Sequence, residues 1–150
     1  MSVTVRPIRA DEVADAVALV VDGSLSPEGE RPDDLAAYWS GVVATRAGGG
    51  DVLVALDDGD VVGVCQVLLL THFQHAGGRC CELESVYVRR DRRGQGVGSA
   101  MLRAAESLAR AAHCYRIQLT SRNQRVDAHR FYLANGFDQT SQGFKKSLTT

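Results

Sequence analysis

Apolar residues recur along the chain with two different periods, and each change of period marks a new element. Alternation over 3–8 predicts a first strand, and Pro7 near its end predicts a sheet edge, because proline donates no ladder hydrogen bond. Val13, Val17, Val20 and Val21 then recur at helical spacing behind Asp11, a suitable N-cap. Residues 23–32 are rich in Gly, Pro, Ser and acid and read as a loop. A second helix starts at Asp33, runs through Trp39 and Val43 to about Arg46, and ends on Gly48, Gly49 and Gly50. The apolar runs 52–56 and 61–70 flank Asp57-Asp58-Gly59-Asp60 and predict a hairpin. A polar loop at 71–79 leads to a strand at 80–88. Met101, Ala105, Leu108 and Ala112 fall on one face of a helix over 98–113. A strand at 115–120, a helix at 126–134 stopped by Asn135-Gly136, and short strands at 137–139 and 143–148 follow.

The order β-α-α-β-β-β-α-β-α-β-β has no internal repeat and no linker. It predicts one α/β domain over 1–150, an α+β mixed sheet with helices on both faces. Composition narrows the class: 45% apolar and 23% charged residues make an ordinary globular balance. A formal net charge of -1 argues against a nucleic-acid partner. The run 61–70 is broken by Gly63 and Gln66 and is too short to span a bilayer, so no membrane partner is expected. The first nine residues lack the apolar core of a signal peptide. The four cysteines, Cys65, Cys80, Cys81 and Cys114, form neither a disulfide framework nor a CxxC pair, which predicts a reducing, cytoplasmic setting. His72, His75, Cys80 and Cys81 lack zinc spacing, and adjacent cysteines chelate one ion awkwardly, so no metal is expected.

The chemistry gathers in the run from Val88 to Ser99, which joins a strand to a helix. Its glycines allow a tight turn and close approach of a ligand. The helix start offers free N–H groups and partial positive charge, so the loop suits a pyrophosphate. Neighbouring arginines complement phosphate, Arg93 first among them. A Walker A loop would need a lysine, which is missing. A dinucleotide fingerprint would need glycine at Ser99 and an acid near 112–118, and both are missing.

Arg93-x-x-Gly96-x-Gly98 resembles motif A of the GNAT acetyltransferase superfamily, Gln/Arg-x-x-Gly-x-Gly/Ala. The run from Ala128 to Phe137 resembles that superfamily's A-x-x-Φ-Y-x-x-x-G-F segment, where Φ is apolar. The element order is similar too, so the resemblance covers nearly the whole chain. It implies the GNAT acyl-CoA N-acyltransferase fold and acetyl-CoA as donor. It also implies direct transfer, in a ternary complex, to the primary amine of a small molecule. A protein or peptide N-acetyltransferase and a non-catalytic acyl-CoA-binding sensor are the alternatives. Stretches 55–63, 127–133 and 139–148 are similar to aminoalkylphosphonate N-acetyltransferases. Pairing of two copies through late strands, a homodimer, is a further implication.

The same resemblance distributes roles. Arg93, Gly94, Gln95, Gly96, Val97, Gly98 and Ser99 hold the pyrophosphate. The thioester lies beside the preceding strand, where backbone groups of Val86 and Val88 pair with the pantetheine arm and the Val86 N–H faces the oxyanion. Alternation sets Glu82, Glu84, Val86 and Val88 on one face until a bulge intervenes. An alkylammonium must lose a proton before it attacks, and Glu84, through water, is the first candidate base, with Glu82 second. Tyr132 matches the tyrosine that serves as general acid for the coenzyme A thiolate. Arg125 stands where many members carry a pantetheine-bonding asparagine, so it either contacts the cofactor or reaches an anionic acceptor. The variable loops 25–32 and 71–79 border the acceptor.

Overall fold

The computed structural model describes residues 2–149. Five strands form one sheet in the order β1 (Thr4–Pro7), β2 (Asp51–Asp57), β3 (Asp60–Thr71), β4 (Arg79–Val88) and β5 (Arg116–Gln118). Successive pairs are antiparallel except β4 and β5, which are parallel. Pro7 lies on the edge strand, as its missing donor requires. Asp58 and Gly59 turn the β2–β3 hairpin with φ of 50° and 84°, the left-handed pair that matches strand twist.

Helices α1 (Val13–Gly23) and α2 (Leu35–Ala47) cover one face of the sheet. There Val17 and Val42 pack on Val54 and Val64. A single turn, α3 (Gln74–Gly77), interrupts the β3–β4 connection. Helix α4 (Val97–Ala111) covers the other face, with Met101 and Ala105 buried against Val62, Cys65 and Leu83. Helix α5 (Val126–Ala134) adds Phe131 and Tyr132 to that side. Among the described residues no helix is long and apolar enough to cross a membrane.

The sheet and its helices match the expected mixed architecture, and four details differ. Asp11 lies in a 3-10 turn (Ala10–Glu12), and α1 starts two residues beyond it. Glu12 caps there instead: its Oε1 accepts from the Arg9 N–H at 2.8 Å, and its carboxylate takes two bonds from Arg6 at 2.9 and 2.6 Å. The cap of α2 is Asp34 rather than Asp33, accepting from the Ala37 N–H at 3.2 Å. Strand β5 is only three residues long, against an expectation of 115–120. The strands expected at 137–139 and 143–148 are absent.

The last difference has a physical cause. Phe137 is held as a helix stop, its N–H on the Tyr132 carbonyl at 3.1 Å and its ring 5.8 Å edge-on to Tyr132. A strand needs a long partner edge, and β5 offers three residues. In 143–148 only Phe144 and Leu148 are apolar, too few to define a buried face, and both are 92% exposed.

Candidate active site

Strand β4 builds the site through a defect in its ladder. Gln66 pairs with Glu84 and Val64 with Tyr87, so Ser85 and Val86 together oppose Cys65. This is a β-bulge, and Ser85 takes a left-handed φ of 52° to form it. The extra residue inverts the alternation. Glu82 and Glu84 lie on the α1/α2 face with their partners Leu68 and Gln66, and Tyr87 packs on that side. Val86 and Val88 pack on the α4 side with Cys81 and Leu83. The four residues expected on one face are therefore split, because the bulge falls before Val86.

Strands β4 and β5 part just before the bulge. β5 pairs with β4 only from Cys80 to Glu82, so the edge of β4 beyond Glu82 lacks a β5 partner. A cavity of about 220 Å³ opens between Leu83–Tyr87 and the chain after β5, with Tyr132 of α5 on its wall. Glu84 lines this cavity. Its surroundings desolvate the carboxyl and raise its pKa, the charge of Glu82 raises it further, and Lys145 opposes both. Glu82 is turned to the paired part of the strand, where Gln118 Nε2 donates to its Oε1 at 3.3 Å. The Tyr132 ring is wedged between Phe131 at 5.2 Å and Phe137 at 5.8 Å, and burial pushes its phenol up to about 12.

Arg125 is on the wall of this cavity, held by two contacts. Its Nη2 donates to the Gly23 carbonyl at 2.8 Å, and its guanidinium lies 5.9 Å from the centroid of the Tyr87 ring. It ties the end of α1 to the start of α5 across the cavity. Gly23 must be small here, since a Cβ would come within 2.4 Å of Tyr87 Cδ1. Arg122 makes a parallel tie, Nη2 donating to Ser26 Oγ at 3.1 Å. Sequence reasoning missed Ser85, Gly23 and Arg122, since none occupies a motif position and all are defined by partners far along the chain.

The glycine loop divides into two kinds of position. Gly94 and Gly96 have φ of 73° and 87°, and a Cβ on either would meet nothing within 4 Å. They allow the turn and leave the backbone uncovered. Gly96 is the N-cap of α4, and the Ala100 N–H closes on its carbonyl at 3.0 Å, leaving the N–H groups of Val97, Gly98 and Ser99 at the open helix end. Gly98 differs: it is buried, and a Cβ would come 2.7 Å from Phe131 Cζ, so its glycine packs α5 onto α4. The Val97 side chain is likewise core, 1% exposed, and only its backbone can face a ligand. Gln95 Nε2 bonds back to the Asp91 carbonyl at 3.1 Å. Arg89, Arg90 and Arg92 are ion-paired with Asp91, Asp22 and Asp57. Among the described residues Arg93 makes one hydrogen bond, to the Val88 carbonyl at 3.2 Å, and lies on the exposed face of the loop.

A second cavity, of about 390 Å³, lies on the other side of the bulge, between α1, α2 and the sheet. Ser85 lines both cavities. In the 71–79 loop, His75 stacks on Tyr115 at 4.0 Å and His72 Nδ1 hydrogen-bonds the Tyr115 hydroxyl. Among the described residues no group of three or more His, Cys, Asp or Glu could hold a metal ion.

The family model described as Acetyltransferase (GNAT) family matches residues 16–137. An aminoalkylphosphonate N-acetyltransferase of Salmonella typhimurium is 38% identical over 95 residues, 63% of this chain but only 61% of that enzyme. A type 1 aminoglycoside N(6')-acetyltransferase of Klebsiella aerogenes is 30% identical over 96% of both chains. The crystal structure of a transcriptional regulator from Bacillus halodurans C-125 superposes with a TM-score of 0.89 at 28% identity, covering 98% of this chain and 100% of that one. A sheet that opens at a bulge, a glycine loop at the start of α4 and these likenesses agree: the chain belongs to the acetyltransferase (GNAT) family.

Proposed function

We propose that this protein is an acetyl-CoA-dependent N-acetyltransferase that passes the acetyl group directly to the primary amine of a small molecule. The observation that carries the reading is the parting of β4 from β5 just before the Ser85 bulge. The β4 edge freed there leads from the glycine loop into the cavity that holds Glu84 and Tyr132. Backbone groups of Val86 and Val88 would pair with the amides of the pantetheine arm. The N–H groups of Val97, Gly98 and Ser99, with Arg93, would meet the pyrophosphate. The Val86 N–H is the donor proposed for the oxyanion.

An amine attacks a thioester only as the free base. Glu84, with its raised pKa, is a stronger base than an ordinary carboxylate and accepts the proton directly or through water. Glu82, tied to Gln118, is the second candidate. Tyr132, at about 12, stays protonated throughout the working range. It is a weaker acid than a thiol of ordinary pKa, about 8.5. Its part is therefore to steady the departing thiolate with a hydrogen bond more than to surrender its proton. Both relatives above, an aminoalkylphosphonate and an aminoglycoside N-acetyltransferase, support a small-molecule acceptor.

Titration with acetyl-CoA is expected to saturate, and a library of small amines to release free thiol. Absence of saturable binding overturns the reading. Thiol release with a lysine peptide and with no small amine replaces it by the peptide-directed alternative.

A further inference from the structure

We infer that the 390 Å³ cavity between α1, α2 and the sheet holds the body of the acceptor, and that this acceptor is a primary amine on an alkyl or arylalkyl body without a phosphate or phosphonate group. The inference rests on the N-acetyltransferase reading and deepens it. Its size lies within the range of small-molecule sites, which are mostly apolar with a few polar groups that fix orientation. The walls fit that description: Val13, Val17, Val42 and Val64 line it and are each 3–4% exposed.

The polar groups in the cavity are few and mostly committed. Gln66 Nε2 donates to Thr45 Oγ1 at 2.9 Å. Glu30 accepts from the Tyr38 hydroxyl at 2.9 Å. The cation on the lining is Arg31, which lies 3.8 Å from Asp34 and is balanced by Glu30 beside it. A dianionic or many-hydroxyl group placed against those valines would lose its water and find in return only Arg31, already shared with Asp34 and Glu30, and the committed Gln66 amide. An apolar body loses nothing and gains burial.

The cavity also points the amine at the chemistry. Ser85 lines both cavities, and Gln66, on the wall of this one, pairs across the ladder with Glu84, on the wall of the other. A body seated among the valines would leave its terminal nitrogen at the bulge, beside the carboxylate proposed as base. Attack forms the new C–N bond and breaks the C–S bond. The ammonium proton goes to Glu84, and the sulfur leaves as a thiolate held by Tyr132.

The test compares 2-phenylethylamine and hexylamine with 2-aminoethylphosphonate and an aminoglycoside, by calorimetric binding and by thiol release, in the full chain and in Gly41→Leu. Gly41 lines the cavity from within α2, and a Cβ there meets nothing within 4 Å, so the position accepts the start of a larger side chain. Replacing a helical glycine also favours the helix, so the variant is expected to melt no lower than the parent. Expected results are saturable binding of the apolar amines and a weakening by at least about tenfold in Gly41→Leu, with acetyl-CoA binding unchanged. Where turnover is seen, KM for the apolar amines should rise alike. Failure of the apolar amines to bind, equal affinity in Gly41→Leu, or preference for the phosphonate or the aminoglycoside overturns the inference. Apolar amines that bind and are displaced by Gly41→Leu, yet never release thiol, would keep the cavity and remove the acetyl-transfer reading.

Discussion

Glu84, as the proposed base, would favour chemistry at the expense of stability. Its pKa is raised in the folded chain, so the fold binds that proton more tightly than the unfolded chain does. Stability attached to this group is present at low pH and is lost as pH rises through the unfolded and then the folded value. At neutral pH the ionised carboxylate is a liability. Glu84→Gln is therefore expected to lower kcat/KM by about 10²- to 10⁴-fold, as loss of a general base does, while melting at the same temperature or higher at pH 7. The acidic limb of the parent pH–rate profile should lie above the ordinary carboxylate range and vanish in the variant; a limb unchanged in Glu84→Gln shifts the base to Glu82. Tyr132→Phe keeps the ring between Phe131 and Phe137 and removes only the hydroxyl, so kcat is expected to fall with little change in melting temperature. That both residues line one cavity agrees with singling them out in the sequence, one as an acid inside a strand and one as a motif position. Ser85 was not legible there, because a bulge is a property of the β3–β4 register, which no local pattern reports. Arg125 was legible as a departure from the motif but not in its use, since its partner Gly23 lies 102 residues away.

Among elements, α4 and the loop before it carry two demands that one motif conceals. Gly96 keeps the loop backbone uncovered: its φ is 87° and its Cβ direction is open. Gly98 answers to α5, whose Phe131 occupies the space a side chain would need. Gly96→Glu is expected to abolish acetyl-CoA binding, by blocking the helix start and placing a carboxylate at the proposed phosphate site. Its stability should fall by only about 1–2 kcal/mol, the toll of a left-handed residue. Gly98→Val is expected to cost about 1–3 kcal/mol through overpacking, and Phe131→Leu should recover part of that loss in the double variant. Equal melting temperatures for the parent and Gly98→Val would show that α5 does not rest on this glycine. The same contrast explains what the chain's pattern revealed of its elements. Helix α5 and the hairpin were readable because their stop signals, Asn135-Gly136 and Asp58-Gly59, are local. The late strands were over-read, because alternation marks a strand only if an edge is waiting to pair with it.

At the scale of the molecule, the two cores and the tail differ sharply in how much they hold. Cys65 and Cys81 are both fully buried with thiols pushed up to about 12, and Cys80 is buried with them. Only Cys114 is partly accessible, so a thiol reagent should label about one site in the native chain and all four after unfolding. Residues 140–149, by contrast, are exposed throughout. One of them nonetheless reaches the site: Lys145 lines the β4–β5 cavity, and its charge lowers the pKa of Glu84. Ending the chain at Gln139 is therefore expected to shift the melting temperature by no more than about 2–4 °C, the effect of roughly 1 kcal/mol in a domain of this size. The acidic limb of the pH–rate profile should meanwhile move to higher pH, because the cation that favoured ionised Glu84 is gone. Lys145→Ala should reproduce the shift, Lys145→Arg should not, and salt near 1 M should shrink the difference by screening an exposed charge. A limb that stays in place after truncation would mean that Lys145 does not act on Glu84. A melting temperature lower by more than about 10 °C would mean that the tail is packed in solution, with a second copy as the first surface to test by measuring the oligomeric state.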